Sequence, residues 1–141
     1  MAAVMPAAPP EAALMVVVDN VRNSRGRVHI DLCPQAKFLS EDCPWSGEAP
    51  ARAGTTVVTI PNVPPGSYAV QATHDENGNR KVDRALFGIP KEGIGFSRDA
   101  PVRLGPPKWR DAMFEHRREG QVIRLHIRYY LGAQSPGTAD R

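Results

Sequence analysis

Apolar residues in this chain recur at every second position. In RVHIDL, Val28, Ile30 and Leu32 share one face against Arg27, His29 and Asp31. In VIRLHIRYY, Ile123, Leu125, Ile127 and Tyr129 oppose Val122, Arg124, His126, Arg128 and Tyr130. Only an extended backbone sends successive side chains to opposite sides, so each stretch reads as a half-buried strand. The β-branched runs LMVVVDNV (14–21) and TTVVTI (55–60) have strand length. SYAVQATH (67–74) follows a PPG turn and puts Tyr68, Val70 and Ala72 on one side. A weaker strand is expected near DAMFEHR (111–117), and a short helical turn at 35–42 and at 107–112.

Fourteen prolines and twelve glycines interrupt these runs, which favours many short strands joined by turns over a helical bundle. Two packed sheets bury both sets of apolar faces, so the expected fold is all-β, an antiparallel β-sandwich. One domain over 14–131 is expected, with a flexible lead at 1–13 and a flexible tail at 132–141. The NVRNSRGR segment (20–27) reads as a hairpin turn that would pair the first two strands.

The chain has 141 residues, enough for one core. Its +3 formal charge comes from scattered residues. A nucleic-acid face usually clusters Lys and Arg with exposed aromatics, so nucleic acid is not an expected partner. No apolar run approaches the roughly 20 residues that span a bilayer. The first thirteen residues, MAAVMPAAPPEAA, lack the basic start and apolar run of an intact export signal.

HDENGNRKVD (74–83) sets Asp75, Asn77 and Asn79 at alternate positions, with Asp83 four further on. Calcium takes six to eight oxygens, and short loops converge them by this spacing. Counting from Asp75, Lys81 supplies a backbone carbonyl at position seven and Asp83 falls at nine. Leu86 stands where an EF-hand has its Glu and Arg80 where it has Gly, so the EF-hand proper is excluded. A sandwich loop with Glu92 completing the shell stays open. So does a loop in which the same side chains cap turns. If the ion binds, its expected role is structural.

Cys33 and Cys43 stand ten positions apart, without the further ligands of a zinc site. The pair is expected to close a surface loop as a disulfide, the alternative being two free thiols. Of the four histidines, His29 and His126 are expected on exposed strand faces, and His74 to support the 75–83 loop by a hydrogen bond. GIPKEGIGFS lacks the ending of a phosphate loop and is expected to form a rigid turn laying Ile94 and Phe96 over the core.

The blocks NVPPGSYAVQATHDENGNRKVD, FGIPKEGIGFSRDA and GPPKWRDAMF, in this order and spacing, resemble the bacterial domain-of-unknown-function family 2141 over about residues 14–131. The resemblance implies an immunoglobulin-like or prealbumin (transthyretin)-like sandwich and export to the periplasm or beyond. Arg80 departs from the family's usual Gly, Arg98 from its usual Asn and Trp109 from its common Phe. The expectation is therefore a non-enzymatic exported module, calcium-stabilised through Asp75, Asn77, Asn79, Lys81, Asp83 and Glu92. Its partner would be a protein or another envelope component. The alternative is a small-ligand carrier or hydrolase whose site forms around residues 86–98.

Overall fold

The computed structural model describes residues 12–40, 42–77, 92–102 and 105–130. Eight strands form two facing sheets. β1 (Leu14–Val21), β4 (Gly54–Ile60) and β8 (Gln121–His126) make a three-stranded sheet in the order β4-β1-β8. β2 (Arg27–Cys33), β3 (Trp45–Pro50), β5 (Gly66–Asp75) and β6 (Gly93–Phe96) make the second, in the order β3-β2-β5-β6. β7 (Phe114–His116) pairs with the first residues of β5. The fold is an all-β sandwich.

The alternation read from the sequence is what the core uses. Leu14, Val16 and Val18 of β1, Val28, Ile30 and Leu32 of β2, Val70 and Ala72 of β5, and Leu125 and Ile127 near the C-terminus are buried between the sheets. Each Val, Leu or Ile among them contributes about 1.5–3 kcal/mol when taken fully out of water.

Two pairings differ from expectation. β1 and β2 do not form a hairpin: β1 pairs with β4 and β8, and β2 with β3 and β5. Residues 22–26 instead arch from one sheet to the other. Gly26 makes the arch possible, because it sits at φ +70° and a Cβ there would lie 1.9 Å from the Asp75 carbonyl oxygen. The β1–β8 pair is parallel, the exception among antiparallel pairs; no tight turn constrains two strands so far apart in the chain.

The segment expected to be a rigid turn at 93–96 is strand β6. Its glycines face inward: a Cβ on Gly93 would meet Ile127 Cγ2 at 2.3 Å, and one on Gly95 the His126 carbonyl oxygen at 2.5 Å. Ile94 exchanges backbone hydrogen bonds with Arg128 (3.0 and 2.8 Å), so β6 closes one edge of the sandwich onto the end of the other sheet. Ile94 and Phe96 consequently point away from the central core. They join Ala69, Phe38, Ala112 and Trp109 in a second apolar cluster on the outer face of the larger sheet. A 3₁₀ turn (Gln35–Lys37) and α1 (Trp109–Ala112) supply its cover, with the Phe38 ring edge-on to Trp109 at 5.6 Å.

Candidate functional site

β5 alternates apolar residues inward until His74, then ends at Asp75, where the polar segment departs. His74 is fully buried and its two ring nitrogens are both engaged, Nε2 with the Arg25 carbonyl (2.8 Å) and Nδ1 with the Tyr129 hydroxyl (2.8 Å). A carbonyl only accepts, so Nε2 carries the proton. In the neutral ring Nδ1 then accepts from the Tyr129 hydroxyl, which in turn accepts from the Arg22 backbone N–H at 2.8 Å. Burial lowers the His74 pKa below its ordinary value and so favours this neutral form. His74 therefore supports the segment by anchoring the arch and the stretch that follows β8, its two ring nitrogens being spent on Arg25 and Tyr129.

Glu76 is held more tightly still. Arg22 grips both carboxylate oxygens at 2.8 Å, Asn23 Nδ2 donates to Oε2 at 2.7 Å, and the Arg22 guanidinium lies 4.4 Å from the centre of the Tyr129 ring. The hydrogen bonds from Arg22 lead the effects that bring the Glu76 pKa down to about 2. Burial pushes the Tyr129 hydroxyl up to about 12. Arg22, Asn23, Glu76 and Tyr129 had no motif to mark them; the only trace was Tyr129 on the inward face of the last strand.

Of the residues expected to ligate calcium, Asp75 is buried at the end of β5 and Asn77 is exposed two positions on. Glu92, buried, reaches back to accept the Glu76 backbone N–H at 3.1 Å. Glu92 and the 75–77 turn are thus brought together. Asn79, Lys81 and Asp83 lie outside the described residues, as do Arg80 and residues 86–91 of the 86–98 segment. Among the described residues no three His, Cys, Asp or Glu side chains are grouped to hold a metal. The donors at this end are carboxylate and amide oxygens, the chemistry a hard cation takes, and the one imidazole nearby is spent on Tyr129 and Arg25.

The Cys33 and Cys43 sulfurs lie at bonding distance, 1.96 Å. His126 is exposed as expected, its Nδ1 3.1 Å from Asp99 Oδ2, while His29 is half-buried against Asp31 at 3.0 Å. No helix among the described residues is long and apolar enough to cross a membrane. A shallow groove of about 420 Å³ lies at the far end of β5, lined by Ala12, Asn62, Val63, Pro64, Pro65 and Arg118. None of the site residues borders it.

A family model described as an uncharacterized protein conserved in bacteria, DUF2141, matches residues 16–124. No curated protein and no solved structure gives a significant match.

Proposed function

We propose, for a chain that belongs to the bacterial DUF2141 family, a non-catalytic role: an exported β-sandwich module whose 75–83 segment takes a structural calcium ion and whose opposite surfaces are free to bind an envelope component. The observation that carries this reading is the closed polar network at the end of β5. Each titratable group in it is tied to a partner, with Glu76 brought down to about 2 and Tyr129 pushed up to about 12, both far from the range acid–base catalysis at neutral pH needs. Such a network fixes backbone. It holds Asp75 and the Glu76 N–H in place at the root of an oxygen-rich segment, and Glu92 arrives there from β6.

Calcium would be held by Asp75, Asn77, Asn79, Asp83, the Lys81 carbonyl and Glu92, neutralising their charge and ordering the segment. Export is supported by the cysteine pair, because disulfides persist in oxidising compartments.

The test is a thermal melt of chelator-stripped protein. Calcium at about a hundred times its Kd adds about 2.7 kcal/mol, which raises Tm by about 5–10 °C in a domain of this size. Excess chelator returns the lower Tm, and both Asp75→Ala and the exposed Asn77→Ala abolish or reduce the gain. An unchanged melt with and without calcium rejects the reading.

A further inference from the structure

The outer face of the larger sheet carries a surface that neither the fold nor the ion segment explains, and we infer that it docks on an anionic lipid surface. Its apex is Leu39, at the tip of the loop closed by Cys33 and Cys43. Leu39 adopts φ +73°, a left-handed conformation that branched and bulky residues rarely accept, and its side chain is 43% exposed. The loop is clamped in place from beneath: the Gln71 amide oxygen accepts the Leu39 N–H, and its Nε2 donates to the Ser40 carbonyl at 3.0 Å. A leucine fixed outward in a strained conformation gains nothing from water.

Beside it the partly exposed Trp109 packs against Phe38, the residue preceding Leu39. Cations surround this apolar centre. Lys37, Arg98, Lys108 and Arg110 are all exposed, against exposed Asp42 and half-buried Asp99 and Asp111 in the same segments, Asp99 being bound to His126. Lys37 is paired with Asp42 at 3.1 Å, whereas Arg98, Lys108 and Arg110 form no ion pair among the described residues. The Arg98 guanidinium donates instead to the Arg110 and Met113 carbonyls at the end of α1, which keeps its charge at this face.

An aliphatic apex, a tryptophan beside it and a ring of Lys and Arg is the pattern that enters the headgroup layer: the apolar tip reaches the acyl boundary, the indole sits at the interface and the cations meet phosphate. A glycan or nucleic acid would use the cations and the indole but has no use for an exposed leucine. Residues 35–40 of this loop are held by the 3₁₀ turn and by Gln71, so docking requires little further loss of freedom there. The inference uses a different face from the ion segment and does not rest on calcium.

The experiment is co-sedimentation of the full chain, in calcium-free buffer, with vesicles of phosphatidylcholine alone or mixed with phosphatidylglycerol. The protein is expected to sediment with the mixed vesicles and not with phosphatidylcholine. In the Trp45→Phe variant the remaining Trp109 emission is expected to shift to the blue and to be quenched by brominated lipid. Lys108→Gln with Arg110→Gln lowers partitioning roughly thirtyfold, from about fivefold per cation removed, at an unchanged Tm. Leu39→Asn lowers it about tenfold through lost apolar contact, while Tm stays equal or rises because asparagine accepts the left-handed backbone. Absence of sedimentation with mixed vesicles overturns the inference. So does equal binding to soluble dextran sulfate with no blue shift and no effect of Leu39→Asn, an outcome that would assign the surface to an anionic polymer.

Discussion

The two sheets of this sandwich are built from similar strands and treated differently. The three-stranded sheet has one buried face; its outer face leaves Val57 and Val122 45% and 51% exposed, with Thr55, Thr59 and Arg124 between them. The larger sheet is buried inside by the common core, and on its outside the Phe38–Trp109 cluster covers Ala69 and Phe96 while His29 and Asp31 stay half-buried. Most of the unusual devices among the described residues belong to the second: the cysteine-closed loop, the left-handed Leu39, Arg98 and Asp99, the glycine strand and the polar network at the end of β5, while the first has the bulge at left-handed Asn20 and the parallel β1–β8 pair. One sheet serves as a wall. The other is a platform on which loops are positioned.

If that contrast is right, the largest effect comes from the line where the two sheets meet. Gly95→Ala, with its Cβ 2.5 Å from the His126 carbonyl oxygen, forces β6 off the end of β8 and is expected to destabilise by about 4 kcal/mol or more. Chemical denaturation measures this, and a loss under about 1 kcal/mol would mean that the closure at β6 yields easily. Next comes the bridge under the platform. Cys33→Ser with Cys43→Ser is expected to lower stability by about 2–4 kcal/mol, read from the same denaturation curves.

The polar network supplies a pH signature of about 2 kcal/mol. Glu76 has a folded pKa of about 2 against an ordinary 4.5, so its contribution is complete above pH 4.5 and is lost as pH falls through about 2. His74, whose pKa is also lowered, loses its contribution as pH falls below its ordinary 6.5. Wild-type stability therefore declines on acidification, and Glu76→Gln flattens the part of the curve between pH 4.5 and 2 while lowering the neutral plateau. Parallel curves for the two proteins would mean that Arg22 does not hold the carboxylate as described. The smallest effect belongs to the wall: Val57→Thr and Val122→Thr change stability by no more than about 0.5 kcal/mol. A larger loss there would show that the outer face is covered.

The same contrast governs what could be read beforehand. A sheet with one wet face writes its pattern as alternation, and β1, β4 and β8 are legible for that reason, as are β2 and β5 from their inward residues. The platform hides what it does outside. Ala69 and Phe96 lie under a cover contributed by residues 38 and 109, far apart in sequence, so no local period signals them. β3 contains Gly47 and Pro50, pairs only with β2 and carries no apolar alternation. β6 is four residues long, and its glycines are there because the neighbouring chain comes so close, which in sequence looks like a turn.

The arch at 22–26 has the composition of a hairpin; Gly26 lets it bend, and contacts far apart in sequence, Arg22 and Asn23 with Glu76 and the Arg25 carbonyl with His74, turn it toward the other sheet. At the candidate site, local spacing made Asp75 and Asn77 visible, Glu92 was expected from outside the loop to complete the shell, and the fold does gather Glu92 to the 75–77 turn. The network beneath them was invisible, because its members come from the arch, the end of β5 and the segment after β8. Arg98 shows the converse. Its φ of +58° is a backbone that asparagine accepts more readily than arginine, and the arginine present here offsets the strain with hydrogen bonds to the Arg110 and Met113 carbonyls at the end of α1.

The claim at the centre of this account is that the fixed end of β5 roots an oxygen-lined calcium segment. Isothermal titration of calcium into the chelator-stripped full chain tests it most directly. The account predicts saturable heat with one ion per chain, lost in Asp75→Ala and weakened in Glu92→Gln. Heat no greater than dilution in the wild-type protein, or binding that survives unchanged in both variants, would contradict it.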